Sequence, residues 1–179
     1  MNFPTTLYCM GLMSIAAAGR ASEFETESWP GEGVPVLISA SDKLTLRQSP
    51  HLDALSRTID YRTGWKVPFD KSLYRTTNPA TIVVRQSATI EIWCDGPVNY
   101  EFEAGQKLVY LQYRAEGFGT VRIDGRICEV PLRLEEAVFG SNFDEPDTLW
   151  WVRVTFADGS SPGWLNVMDG QVSFGDREF

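Results

Sequence analysis

Leu149-Trp150-Trp151-Val152-Arg153-Val154-Thr155-Phe156-Ala157-Asp158-Gly159-Ser160-Ser161-Pro162-Gly163-Trp164-Leu165-Asn166-Val167 is the stretch on which the fold turns. Aromatic and β-branched residues run up to Phe156, turn residues follow, and a second apolar run starts at Trp164. That order predicts a strand, a tight reversal and a return strand. Asp158-Gly159 supplies the turn, because glycine enters positive φ without a Cβ clash.

Upstream the pattern keeps a period of two. Val36-Leu37-Ile38 is followed by Leu44-Thr45-Leu46-Arg47, then Thr58-Ile59-Asp60-Tyr61, the turn Thr63-Gly64, and Trp65-Lys66-Val67. Short apolar runs split by turn residues predict an all-β chain. Val36-Leu37-Ile38…Leu44-Thr45-Leu46 also lines up with Ile82-Val83-Val84…Ile90-Glu91-Ile92 at an offset of 46. Further on, Thr63-Gly64-Trp65-Lys66-Val67 matches Ala104-Gly105-Gln106-Lys107-Leu108 in pattern, with a shorter connection before the glycine. Two copies of one small β unit account for both matches.

Leu44-Thr45-Leu46-Arg47-Gln48-Ser49-Pro50, Gly64-Trp65-Lys66-Val67 and the hairpin from Trp151 to Leu165 together resemble bacterial Src-homology-3-like domains. A weaker copy of the hairpin runs from Glu116 to Arg126, with Phe118 where the tryptophan would stand. The resemblance implies tandem small barrels: a first, divergent unit over residues 34–84 and a second over 85–175. The second would carry an insert at 131–147, whose one helical stretch, Leu132 to Phe139, stops at Gly140. The terminal hairpin is left free to complete either barrel.

The N-terminus is a different kind of segment. Leu7 to Ala18 is apolar and uncharged but too short to span a bilayer, and Ala16-Ala17-Ala18-Gly19-Arg20-Ala21 offers small residues for cleavage. Residues 1–21 are therefore read as a signal peptide, against an uncleaved buried or anchoring segment. The acidic, turn-rich residues 22–33 are read as a linker. The expected location is periplasmic or secreted, with a mature form not embedded in a membrane. Removing Cys9 leaves Cys94 and Cys128, each at the end of a predicted strand. They either close a disulfide or pack as two reduced, buried thiols.

A net charge of −8 argues against nucleic acid, whose phosphates demand a basic surface. Catalysis is poorly provided for. His51 is the one histidine and lies in a turn expected to be exposed, so a serine or cysteine nucleophile lacks a base. One histidine and two distant cysteines are no zinc set. Asp144, Glu145 and Asp147 cluster without the spacing of a calcium loop. The chain is accordingly expected to be no enzyme and to need no cofactor or metal.

Aromatic residues are the better lead. Alternation places Trp150 and Trp151 on opposite faces of a strand. Trp151 is assigned to the core, against Val121 and Leu165, and Trp150 to a partly exposed groove. By the resemblance, aromatics between the arm-like loop and the distal hairpin line a peptide groove, with Trp65 and Tyr74 joining Trp150. The expected function is a binding module for a cell-wall peptide, peptidoglycan or an envelope protein. The rival is an exported inhibitor or immunity-like protein that occludes an enzyme with residues 131–147. A carboxylate-based hydrolase is a third reading.

Overall fold

The computed structural model describes residues 24–27 and 34–175. The expected signal peptide, Cys9 and residues 28–33 lie outside the described residues. In chain order the first strands are β1 (Phe24–Thr26), β2 (Leu37–Ser39), β3 (Lys43–Arg47), β4 (Ser56–Asp60) and β5 (Phe69–Asn78). Then come β6 (Ala80–Val83), β7 (Ala88–Trp93), β8 (Pro97–Phe102), β9 (Lys107–Tyr113), β10 (Gly119–Ile123) and β11 (Arg126–Val130). One helical turn, α1 (Glu136–Phe139), precedes β12 (Asp147–Val154), β13 (Gly163–Asn166) and β14 (Val172–Phe174). The all-β expectation holds, and α1 is half the helix expected. Gly140 ends it at φ 81°, donating its N–H to the Glu136 carbonyl.

Two six-stranded sheets carry the fold, in the orders β1-β5-β12-β13-β3-β4 and β6-β9-β10-β11-β7-β8. Neither closes into a barrel, which corrects the expectation of tandem barrels. Closure needs the outer strands to pair, whereas β1 and β4 end one sheet and β6 and β8 the other. The expected boundary at 84/85 does not follow the sheets either. β12 and β13 pair with β5 and β3, and β14 pairs with β2. The terminal hairpin thus completes the first sheet, and residues 80–143 form the second sheet and its core between the two halves of the first. β1 corrects the linker reading: it pairs with β5, and its Glu25 carboxylate meets the Arg75 guanidinium.

Within the sheets, β5-β12-β13-β3-β4 and β9-β10-β11-β7-β8 follow corresponding orders. Backbone bonds correspond as well. Ser39 donates to Trp65 and accepts from Gly64, while Val84 donates to Gln106 and accepts from Gly105. Both glycines take positive φ, 82° and 88°. Leu44 and Leu46 are buried beside Leu37, Val152 and Leu165, as Ile90 and Ile92 are beside Ile82, Phe102 and Val121. Thr76 Oγ1, donating to the Leu111 carbonyl, ties the two sheets together.

The reversal after β12 is not tight. The last register pair, Val154 with Gly163, leaves residues 155–162 as a loop in which Asp158 Oδ1 accepts from the Ser160 N–H at 2.9 Å. The two-residue Asp-Gly turn is found instead between β10 and β11, where Asp124 and Gly125 have φ of 50° and 79°. Positive φ at both positions matches the twist of the flanking strands.

Cys94 and Cys128 are bonded, with Cα atoms 4.3 Å apart. Cys94 follows β7 as expected, while Cys128 lies inside β11 rather than at its end. The closed loop is expected to contribute about 3–4 kcal/mol by restricting the unfolded chain. Cys94→Ser/Cys128→Ser should lower urea stability by that amount, and non-reducing peptide mapping should recover the linked pair.

Tyr110 is buried in the second core, and its hydroxyl donates to Glu145 Oε2 at 2.8 Å. Burial first, then the adjacent Glu145 carboxylate, raises its pKa far above 10. Its stabilisation is complete below the unfolded tyrosine pKa of about 10 and is lost as pH rises beyond it, because only the unfolded chain then ionises. Alkaline denaturation monitored at several pH values should therefore be shallower in Tyr110→Phe.

Candidate ligand-binding face

The three aromatics expected to form a groove do not form one. Trp150 is only 4% exposed, on the core face of β12, where its Nε1–H donates to Ser72 Oγ at 2.7 Å and its ring stacks on Phe174 at 5.5 Å. Tyr74, its cross-strand partner on β5, is half-buried against the same core, and its hydroxyl shares a 2.8 Å hydrogen bond with Thr148. Trp65 is 54% exposed in the β4–β5 connection, with the Arg62 guanidinium over its ring at 5.0 Å.

Trp151 lies on the opposite face, as alternation requires, yet it too is fully buried. Leu165 packs with Trp150's cluster and Val121 belongs to the other core, so the expected neighbours of Trp151 were misassigned. β12 is an interior strand covered on both faces from Trp150 to Val152, so its burial does not alternate. Among the described residues Trp151 Nε1 is a buried donor with no acceptor. Such a group costs on the order of 1–3 kcal/mol.

A different set of residues gathers on the outer face of the first sheet. Register pairs Lys71 with Arg153, Arg153 with Trp164, and Trp164 with Arg47, so four neighbouring strands present one row. Paired residues share a face. Trp164 is half-buried at the centre of that row. Arg153 is held by Asp70, with Nε donating to Oδ1 at 2.8 Å and Nη2 to Oδ2. This paired geometry holds the Asp70 carboxyl below its usual range and raises the arginine.

Two clefts flank the row. One of about 280 Å³ has Leu73 and Trp164 among its walls, with Asp70, Lys71 and Glu27 supplying charge. The other, about 300 Å³, opens between the ends of β3 and β4 and the loop before β13, lined by Arg47, Gln48, Ser56, Arg57 and Ser161. Arg47 Nη1 donates to the Ala54 carbonyl at 3.2 Å, and Arg57 Nη2 donates to that of Ser161. Each bond leaves most of the five donors of its guanidinium group for other partners.

Two of the three carboxylates considered for a metal, Glu145 and Asp147, are engaged elsewhere. Glu145 bonds Tyr110 and Arg133, and Asp147 accepts from Asn78. His51 is exposed, with its Nδ1 3.0 Å from Arg75 Nη1. The row escaped sequence reading because its members come from β3, β5, β12 and β13, which only long-range pairing makes neighbours. No family model, curated protein or solved structure matches the chain.

Burial of both tryptophans makes them equal tests of packing. Trp150→Ala and Trp151→Ala should each lower urea stability by about 3–5 kcal/mol through lost burial and the remaining cavity. A nearly unchanged midpoint for either would place that ring outside the core.

Proposed function

We propose that this chain is a non-enzymatic binding module acting outside the cytoplasm, where it recognises a cell-wall peptide or an envelope protein through the outer face of its first sheet. In this reading each sheet is a divergent Src-homology-3-like unit, and the second unit is nested between β5 and β12 of the first. The corresponding strand orders and the paired bonds around Gly64 and Gly105 support a duplicated unit. The Cys94–Cys128 link supports an oxidising compartment.

The row Lys71–Arg153–Trp164–Arg47 carries the binding assignment. It sets a half-buried indole among cationic side chains and between two clefts, on a chain whose net charge is −8. A concentration of cations on an acidic molecule gives that face a local preference for anionic partners. The inhibitor reading has less support, because its proposed loop is packed down: Leu132, Val138 and Phe139 are buried in the second core.

Co-sedimentation with purified peptidoglycan sacculus, alongside capture by solubilised envelope proteins, tests the assignment. Trp164→Ala should weaken retention by about 2 kcal/mol, roughly thirtyfold, as interface tryptophans often do. Wild-type protein retained by neither preparation, or a variant retained equally well, would overturn it. Selective capture of one soluble enzyme would favour the inhibitor.

A further inference from the structure

We infer that the cleft between β6 and the segment before β12 holds a short free peptide, its carboxylate on Arg85 and its ammonium group toward Asp144. The cleft belongs to the second sheet, apart from the face assigned above, and stands or falls independently of it.

The frame is set by the main chain. β6 ends the second sheet, with β9 as its one neighbour there. Val84 donates to Gln106 and accepts from Gly105, so its main-chain groups point toward β9. Main-chain groups alternate in direction along an antiparallel strand, so those of Thr81, Val83 and Arg85 point the other way. On that side the Arg85 N–H meets the Val138 carbonyl at 2.7 Å, and beyond the start of β6 Asp147 is paired with Asn78. Residues 138–147 therefore run antiparallel beside 78–85. Between these two pins lie six residues on the β6 side and eight on the other, so the longer segment bows away. A cleft of about 590 Å³ opens between them. Among the described residues, the outward main-chain groups of Thr81 and Val83 have no main-chain partner.

Phe139, Phe143, Val83 and Val84 give the cleft apolar walls, and Arg85 and Asp144 supply its charges. Among the described residues, neither charged group belongs to an ion pair. Arg85 is seated by Gly140, since a Cβ at that position would stand 2.8 Å from its Cζ. Asp144 lies toward the other end, because its neighbour Phe143 packs on Tyr110, which pairs with Ala80. Unpaired opposite charges at the two ends of an apolar-walled cleft suit a ligand that carries both. A peptide lying parallel to β6, with its N-terminus toward Asp144, brings its carboxylate to the guanidinium fork. Its own amide groups then meet those of Thr81 and Val83, as in strand addition. The reverse direction sets like charges together. Thr81 to Arg85 spans about 13 Å, enough for an extended tripeptide with a charged partner at each end.

Titration calorimetry of the full-length protein with the free tripeptide Ala-Leu-Ala, its N-acetyl form and its C-terminal amide tests this. The free peptide should bind, and each blocked form should bind about tenfold more weakly or worse, the worth of a hydrogen bond to a charged group. Arg85→Gln should lose the same factor for the free peptide and none for the amide. Asp144→Asn should do likewise for the free and the N-acetyl forms. Both side chains are exposed, so the melting temperatures should stay unchanged. No binding of the free peptide, equal binding of the blocked forms, or wild-type affinity in Arg85→Gln would overturn the inference. So would loss of tripeptide binding in Trp164→Ala, because Trp164 stands on the other sheet. Sacculus retention without tripeptide binding would overturn this site and leave the first-sheet assignment standing, and the converse result would do the opposite.

Discussion

The antiparallel ladder between β5 and β12 is the contact on which the rest of the molecule depends. It runs from Asp147 opposite Asn78 to Val154 opposite Phe69, joining segments with the whole second unit between them. Closing a chain over that distance carries an entropic cost that local turns avoid. The ladder offsets it with consecutive main-chain hydrogen bonds and with side chains buried on both faces of β12. Trp150 lies on one face, bonded to Ser72 across the ladder, and Trp151 lies on the other. Once the ladder is formed, β13 is delivered to β3 and the first core closes around Leu44, Leu46 and Leu165.

Nesting divides the stabilising terms between the two units. The inner unit is continuous in sequence, contains the hairpins β7–β8, β9–β10 and β10–β11, and is tied by Cys94–Cys128. The outer unit has its strands at both ends of the described chain, with β2 finding β14 only at the finish. Its pairings are therefore the more non-local, which places the outer unit late in any order of assembly based on loop length. The buried junction of Thr76, Leu111 and Gln112 gives the outer unit a formed surface on which to dock.

The same ladder assembles the candidate face. Arg153 stands on β12 and Lys71 on β5, while Trp164 and Arg47 follow on β13 and β3. Asp70 pairs with Arg153 inside the row, while Arg47 at its β3 end is held by the Ala54 carbonyl.

Sequence alone determined the strand class, because alternation at Leu44 and Leu46 and at Ile90 and Ile92 is a local consequence of the pleat. It also marked the glycine turns, whose positive φ is a property of single residues, and it offered the cysteine pair by parity. The matching patterns at an offset of 46 were legible for the same reason: each strand carries its own spacing. Which strands meet was not legible. Period-two patterns say that a residue faces a core but not which core, so Trp150 and Trp151 were placed on opposite faces correctly and given the wrong surroundings. Only the tertiary structure decided that the last hairpin belongs with β3 and β5, that the sheets stay open, and that Trp164 stands among cations. Those outcomes depend on pairings between residues far apart in the chain, where the free energy of the whole ladder, rather than any local preference, selects the partner.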